Sequence, residues 1–287
     1  MKSIDYTQKA IAAWGDNKLL EAQNLLRESV IKCDDYISDQ NLAVFYMLHG
    51  QVRGTGAIWR ASKYALRLLL RSRNKKHTAT NSMWLGKYYF QEHRFAEAAA
   101  LFYESFLQAN TYVAAYCWGA ALYLSDRPQD ALKAYQWAEE KCTDSFSLQI
   151  AIASTFALLM VDKKTAALQM QEHDQFKEGD PLDYFLMMFF AEDYIHATEQ
   201  ARILLCEYIL DAPVIAMVYD CLLLCMGEKQ AADILMSYSE CFVNFQDGKE
   251  RLRCEAAVDQ CDLSSDFCKI LCVSLPILWI FTMKCTV

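Results

Sequence analysis

The chain is poor in the residues that interrupt helices, with only four prolines and nine glycines among 287 residues. Val, Ile and Thr do not gather into alternating runs, so the pattern predicts no strands. Cation excess is missing too: 28 Lys and Arg face 36 Asp and Glu, a net charge of −8. Phosphate binding needs clustered Lys and Arg, so nucleic acid is not the expected main partner. The N-terminus MKSIDYTQKA has no apolar core of a secretory leader. A cytoplasmic, reducing setting with mostly free thiols is therefore expected for the twelve cysteines, nine of which fall at or after Cys206. No GxGxxG, GxxxxGK[ST], HExxH or GxSxG is present, so neither an enzyme, a cofactor nor a small-molecule substrate is expected.

What is there in quantity is apolar surface, 54% of residues, and a repeat. Gly86 and Gly119 are 33 residues apart, as are Ala98 and Ala131, Phe102 and Tyr135, and Ser105 and Ala138. A small–small–aromatic–small pattern at that period marks a solenoid, in which each unit buries its apolar face by stacking on the next. Weaker units flank the clear pair. Turns are expected at Gly15-Asp16-Asn17, Glu92-His93-Arg94, Asp126-Arg127-Pro128, Asp162-Lys163-Lys164, Ala191-Glu192-Asp193 and Gly227-Glu228. The small residues Ala131, Ala166, Ala197 and Ala231 follow at intervals of 35, 31 and 34. Between the first units, Gly50, Gly54 and Gly56 predict a loose turn, Ile58 to Leu70 a helix, and Arg71 to Thr80 a polar loop. Seven hairpins follow from chain length, as residues 1–255, with a Cys-rich apolar tail at 256–287. Ile270 to Met283 carries no charge and contains Pro276. It falls short of the ~17–25 residues of a membrane-spanning helix. It is expected to cap the solenoid, dock in a partner, or lie outside the natural fold.

The segment Trp84 to Asn110 resembles the tetratricopeptide repeat through Leu85, Gly86, Tyr89, Ala98, Phe102 and Ser105. The next unit resembles it through Trp118, Gly119, Leu122, Ala131, Tyr135 and Ala138. The likeness is specific for 79–142 and diffuse over 1–78 and 143–240, where Ser154 and Tyr219 replace the glycine. It implies an all-α, right-handed α-solenoid whose first helices line a groove. It also implies a non-catalytic scaffold whose partners are other protein subunits or peptides. Gly86 and Ala98 are expected to face each other where a hairpin crosses, and Phe102 and Tyr135 to wedge into the following repeat. A fainter likeness, in repeat order and in the acidic loop 171–180, is to repeat subunits of intraflagellar transport complex B and of the anaphase-promoting complex. That likeness adds a ciliary location to the cytoplasmic one. A peptide-clasping adaptor or chaperone is the alternative.

Two sets of residues are candidates for partner contact. Arg60, Lys63, Arg67 and Arg71, spaced 3, 4 and 4, form one basic stripe, followed by Arg73, Lys75 and Lys76. They either solvate a helix face, with cations suiting the helix C-terminus, or dock an acidic peptide. Lys87, Tyr88 and Tyr116 are off-motif positions on first helices and are groove candidates, although core burial is the commoner fate of an aromatic. The pairs Cys221/Cys225 and Cys268/Cys272 put two thiols on one helix face. A small metal-binding protein using the C-terminal cysteines is the rival reading. Their spacing is not that of a zinc knuckle, so packing thiols and no metal are expected. His173-Asp174 beside Glu172 lacks a nucleophile or oxyanion motif and reads as a solvated acidic loop.

Overall fold

A computed structural model describes residues 2–49, 51–52, 58–59, 62–143, 146–172, 176, 180–207 and 212–237. Among these residues there are fourteen helices in seven successive pairs and one short ribbon. The pairs are α1 (Ser3–Gly15) and α2 (Leu19–Cys33), α3 (Tyr36–His49) and α4 (Ser62–Lys75), and α5 (Ala79–Gln91) and α6 (Phe95–Ala109). They continue as α7 (Tyr112–Tyr123) and α8 (Pro128–Lys141), α9 (Ser147–Val161) and α10 (Lys163–Glu172), α11 (Pro181–Phe190) and α12 (Tyr194–Glu207), and α13 (Ala212–Met226) and α14 (Glu228–Ser237). The chain divides into two compact units, Met1–Ala121 and Leu122–Val287.

In the first unit α1 to α6 pack one on the next in chain order. The buried rows follow helical spacing: Ala22, Leu26 and Ser29 on α2, and Leu42, Phe45 and Tyr46 on α3. At the crossing of α5 and α6, the nearest atoms to a Cβ placed on Gly86 belong to the Phe102 ring. Phe102 therefore fills the notch left by its own repeat's glycine, with Ala98 fully buried one turn away. This contact lies inside the hairpin. A glycine frees room for an aromatic only where the two share a crossing.

In the second unit α8 packs on α9, α9 on α10 and α11, α11 on α12, α12 on α13, and α13 on α14. Pro128 occupies the first turn of α8 and Pro181 that of α11, where a missing N–H leaves no bond unmade. Asp180 caps α11 by accepting from the Leu182 amide at 2.8 Å. Tyr184 to Phe190 are all buried, as befits a helix that is apolar on every side.

Five of the six expected turns close on a left-handed residue: Asn17 (φ 60°), His93 (57°), Asp126 (57°), Glu192 (65°) and Gly227 (84°). In the first four, that residue's amide donates to the carbonyl three back, and the next amide to the carbonyl five back. For His93 and Arg94 the acceptors are Phe90 and Tyr89, both at helical C-terminal positions. This cap satisfies carbonyls that a helix end leaves orphaned.

Three expectations are corrected. A ribbon is present, Gln51–Val52 antiparallel to Ile58–Trp59, with Gln51 opposite Trp59 and Val52 opposite Ile58. Two residues per strand are too few to show alternation in sequence. Ile58 and Trp59 accordingly leave the expected helix, and α4 begins at Ser62. Nor is 71–80 a loop: α4 runs on to Lys75, and α5 starts at Ala79. There the Thr78 Oγ accepts from the Asn81 amide at 3.2 Å, and Asn81 Oδ1 accepts from the Thr78 amide at 3.1 Å. That reciprocal pair is a capping box. Gly50, Gly54, Gly56, Arg60, the acidic loop apart from its ends and Phe176, and the tail 256–287 with its cysteines lie outside the described residues.

Candidate partner-binding surface

The polar end of α4 stays helical because its charges find partners on α3, on α6 and at the joint between α2 and α3. Asp39 sits on the buried face of α3, one turn before Leu42, and its side chain is fully buried. Arg71 Nε donates to Asp39 Oδ2 at 2.8 Å, and a second guanidinium nitrogen bonds the other oxygen. Lys75 Nζ lies 2.8 Å from Asp39 Oδ2 and 2.6 Å from Asp34 Oδ1. The hydrogen bond to Asp39 raises the Arg71 pKa. At Lys75 burial opposes the charge, yet the bonds to Asp34 and Asp39 outweigh it and the pKa is raised. Arg73 Nη2 reaches both oxygens of Glu104, at 2.9 and 3.0 Å, and His77 bonds the same carboxylate. Beneath them, Asn81 Nδ2 donates to Ser72 Oγ at 2.7 Å and to Gln40 Oε1 at 2.8 Å, and Ser72 donates to the Tyr36 carbonyl at 2.7 Å.

The basic stripe therefore splits. Arg71, Arg73 and Lys75 hold helices together, and Arg71 ties α3 to α4. Lys63 and Arg67 remain exposed, with no ion partner among the described residues. They share one line on α4 with Leu70 and Asn74, opposite the buried Ala65, Leu69 and Ser72. Tyr64, 60% exposed, and Leu70, 41% exposed, adjoin the two cations. Neither apolar residue is evident from the charge pattern alone. Their positions relative to Ala65 and Leu69 on a helical wheel would have revealed them.

The groove candidates are placed elsewhere. Lys87, Tyr88 and Tyr116 are buried, Tyr116 completely. The Lys87 ammonium lies 5.0 Å from the Trp84 ring centroid. The aliphatic stem of a lysine packs readily between aromatics, which a sequence pattern reports only as a polar position. Among the motif residues, Leu85, Ala98, Phe102, Ser105, Leu122, Ala131, Tyr135 and Ala138 are buried, as is Gly119. Tyr89 is half-buried beneath Arg94, 4.4 Å from its centroid. Trp118 stacks on Phe106 with centroids 5.9 Å apart.

Of the first CxxxC pair, Cys221 is buried, and burial, with Asp220 and Cys225, pushes its thiol up to about 12. Exposed Cys225 donates to the Tyr194 carbonyl at 3.4 Å and accepts from Thr198 Oγ at 3.3 Å. No group of three His, Cys, Asp or Glu among the described residues could hold a metal ion. No helix among them is long and apolar enough to cross a membrane.

No family model matches the chain, and no curated protein matches it in sequence. Solved structures do. A tetratricopeptide repeat protein from Parabacteroides merdae aligns with a TM-score of 0.61 at 11% identity, covering 90% of this chain and 97% of its own. PilF of Pseudomonas aeruginosa aligns with a TM-score of 0.50 at 13% identity, covering 88% and 96%. At such identities the likeness is one of fold, and the fold is an all-α solenoid of the kind that tetratricopeptide repeats build.

Proposed function

We propose that this protein is a non-catalytic scaffold that holds other protein subunits within a larger assembly. The observation that carries the reading is where its exposed apolar side chains lie. Single exposed apolar residues are ordinary on any protein. Here every second helix from α2 to α12 bears at least one: Ile31, Tyr64, Leu107, Trp137, Leu168 and Ile195 are between 47% and 80% exposed. Of the first helices, α3, α5, α7 and α11 bear none among the described residues, whereas α1 (Ile4, Ile11), α9 (Val161) and α13 (Leu224) do. Partner contact through the second helices fits this distribution better than a peptide clasped along the first helices, whose candidate residues are buried.

The tagged protein, purified from its native cell, should carry stoichiometric protein partners and elute as a complex larger than the free chain. Recovery as a lone monomer with no stoichiometric partner would refute the scaffold. Membership of an intraflagellar transport assembly is a narrower form of the proposal, resting on repeat order alone. It predicts enrichment of the tagged protein in cilia, and its absence from them would remove that form while leaving the scaffold standing.

A further inference from the structure

We infer that the outward face of α4 docks an acidic, amphipathic segment of a protein partner, its carboxylates on Lys63 and Arg67 and its apolar side chains against Tyr64 and Leu70. The inference rests on the scaffold reading and names the chemistry of one of its contacts.

Charge on α4 is one-sided. The helix SKYALRLLLRSRNK contains five cations and no carboxylate, in a chain whose net charge is −8. Three of the five are neutralised from neighbouring helices by Asp34, Asp39 and Glu104. Lys63 and Arg67 have no such partner among the described residues. Helix-terminal electrostatics do not account for them: Lys63 lies in the first turn, where a cation opposes the helix dipole, and only residues near Lys75 gain from it. They stand exposed on the line opposite the buried Ala65, Leu69 and Ser72, so they face away from α3 and α5.

Beside them the surface is not polar, as a purely solvating face would be. Leu70, next along the cation line, and Tyr64, beside it, leave large apolar side chains open. A cation line with an aromatic beside it and an aliphatic anchor at its next position suits a ligand that presents acids and apolar groups together. An amphipathic peptide rich in Glu and Leu has that form. A bare anion would use the cations and leave the anchors idle.

The test is fluorescence anisotropy with the full chain and three labelled synthetic peptides of one length. One is a helix-forming Glu/Leu amphipath, one has Gln for each Glu, and one has Ser for each Leu. The Glu/Leu peptide should bind, more weakly as salt rises, and the other two should bind at least about tenfold more weakly. K63E/R67E and Y64S/L70S should each weaken the Glu/Leu peptide about tenfold or more, with unchanged circular dichroism, since all four side chains are exposed. The salt series and the Gln peptide decide the charge requirement on the wild-type chain even if a variant misfolds. The inference fails if no peptide binds, if the Ser peptide binds as well as the Glu/Leu one, or if K63E/R67E leaves binding intact. It also fails if phosphatidylcholine–phosphatidylserine vesicles bind through the same residues and displace the peptide. Should native partners co-purify equally with wild type and K63E/R67E, the scaffold stands and this contact falls. Should neither recover a partner, the scaffold itself falls.

Discussion

A Cβ built on Gly86 would lie 2.7 Å from both Cδ1 and Cε1 of Phe102. The Phe102 ring is fully buried, so it cannot swing away into solvent. Gly86→Ala should therefore cost about 1–3 kcal/mol by overpacking, despite alanine's better helix propensity. Phe102→Leu in the same chain should recover part of it, and thermal melts of the two singles and the double would measure the coupling. Arg71 supplies a second contrast at this scale. Removing it leaves the buried Asp39 carboxylate with Lys75 alone, so Arg71→Ala should lower stability by about 2–3 kcal/mol. K63E/R67E, at two exposed side chains, should change stability by less than about 1 kcal/mol. Equal melts for both variants would mean that Arg71 is a surface charge after all. Asp183 gives the pH dependence. Burial, with Asp180 nearby, raises its pKa to about 7. A carboxyl whose folded pKa is raised favours folding while protonated, and stability falls as pH climbs from its unfolded pKa of about 4 toward 7. Asp183 keeps partial access to water. Asp183→Asn should thus gain on the order of 1–2 kcal/mol at pH 8, less than full linkage allows, and nothing at pH 4. Denaturant melts at the two pH values check both arms.

Helices and their joints were the most legible level of the sequence. Asn17, His93, Asp126, Glu192 and Gly227 each lie within a triplet or pair that reads as a turn, and of these Gly, Asn, Asp and His tolerate the left-handed backbone those joints require better than Glu does. Only the α13–α14 joint carries glycine. Glu192→Gly should accordingly stabilise the α11–α12 joint by about 0.5–1 kcal/mol, since Glu strains at φ 65°, while Gly227→Ala should cost a similar amount. If the two substitutions shift the melt in the same direction, the caps do not govern these joints. What stayed hidden was set by residues far away in sequence. Read locally, RSRNKK is a loop. It is helix because Asp34, Asp39 and Glu104, from 31 to 41 residues distant, receive Arg71, Arg73 and Lys75. The basic stripe was visible for the same local reason, but its division into tying and free cations needed those distant acids. Lys87 and Tyr116 were misplaced because an off-motif position on a first helix looks exposed until neighbouring helices bury it. The ribbon at Gln51–Trp59 offered no period to read.

At the scale of the molecule, the packing within each unit runs between helices close in sequence. Stability in such an architecture is a sum of unit stabilities and neighbour interfaces, so a part with enough repeats should fold without the remainder. The joint after α6 is a natural place to cut, because Asn110 already ends that helix in the left-handed conformation (φ 51°), its amide bonded to the Phe106 carbonyl at 2.7 Å. Residues 1–110 contain three complete pairs, α1 to α6, the buried Asp39 ties and the Asn81 network, all satisfied from within. The cut does remove Trp118 from Phe106 and from Tyr103, whose ring centroid lies 4.6 Å from that of Trp118. The fragment should thus be helical and unfold cooperatively, yet melt below the intact chain and associate through its uncovered α6 face. Tyr103→Lys and Phe106→Gln in the fragment should reduce that association, as a polar outer face does for a terminal repeat. Circular dichroism and analytical ultracentrifugation would read both effects. A fragment that is unfolded at every concentration would show that α1 to α6 need later helices to form, and that stability here is not the sum of neighbouring repeats.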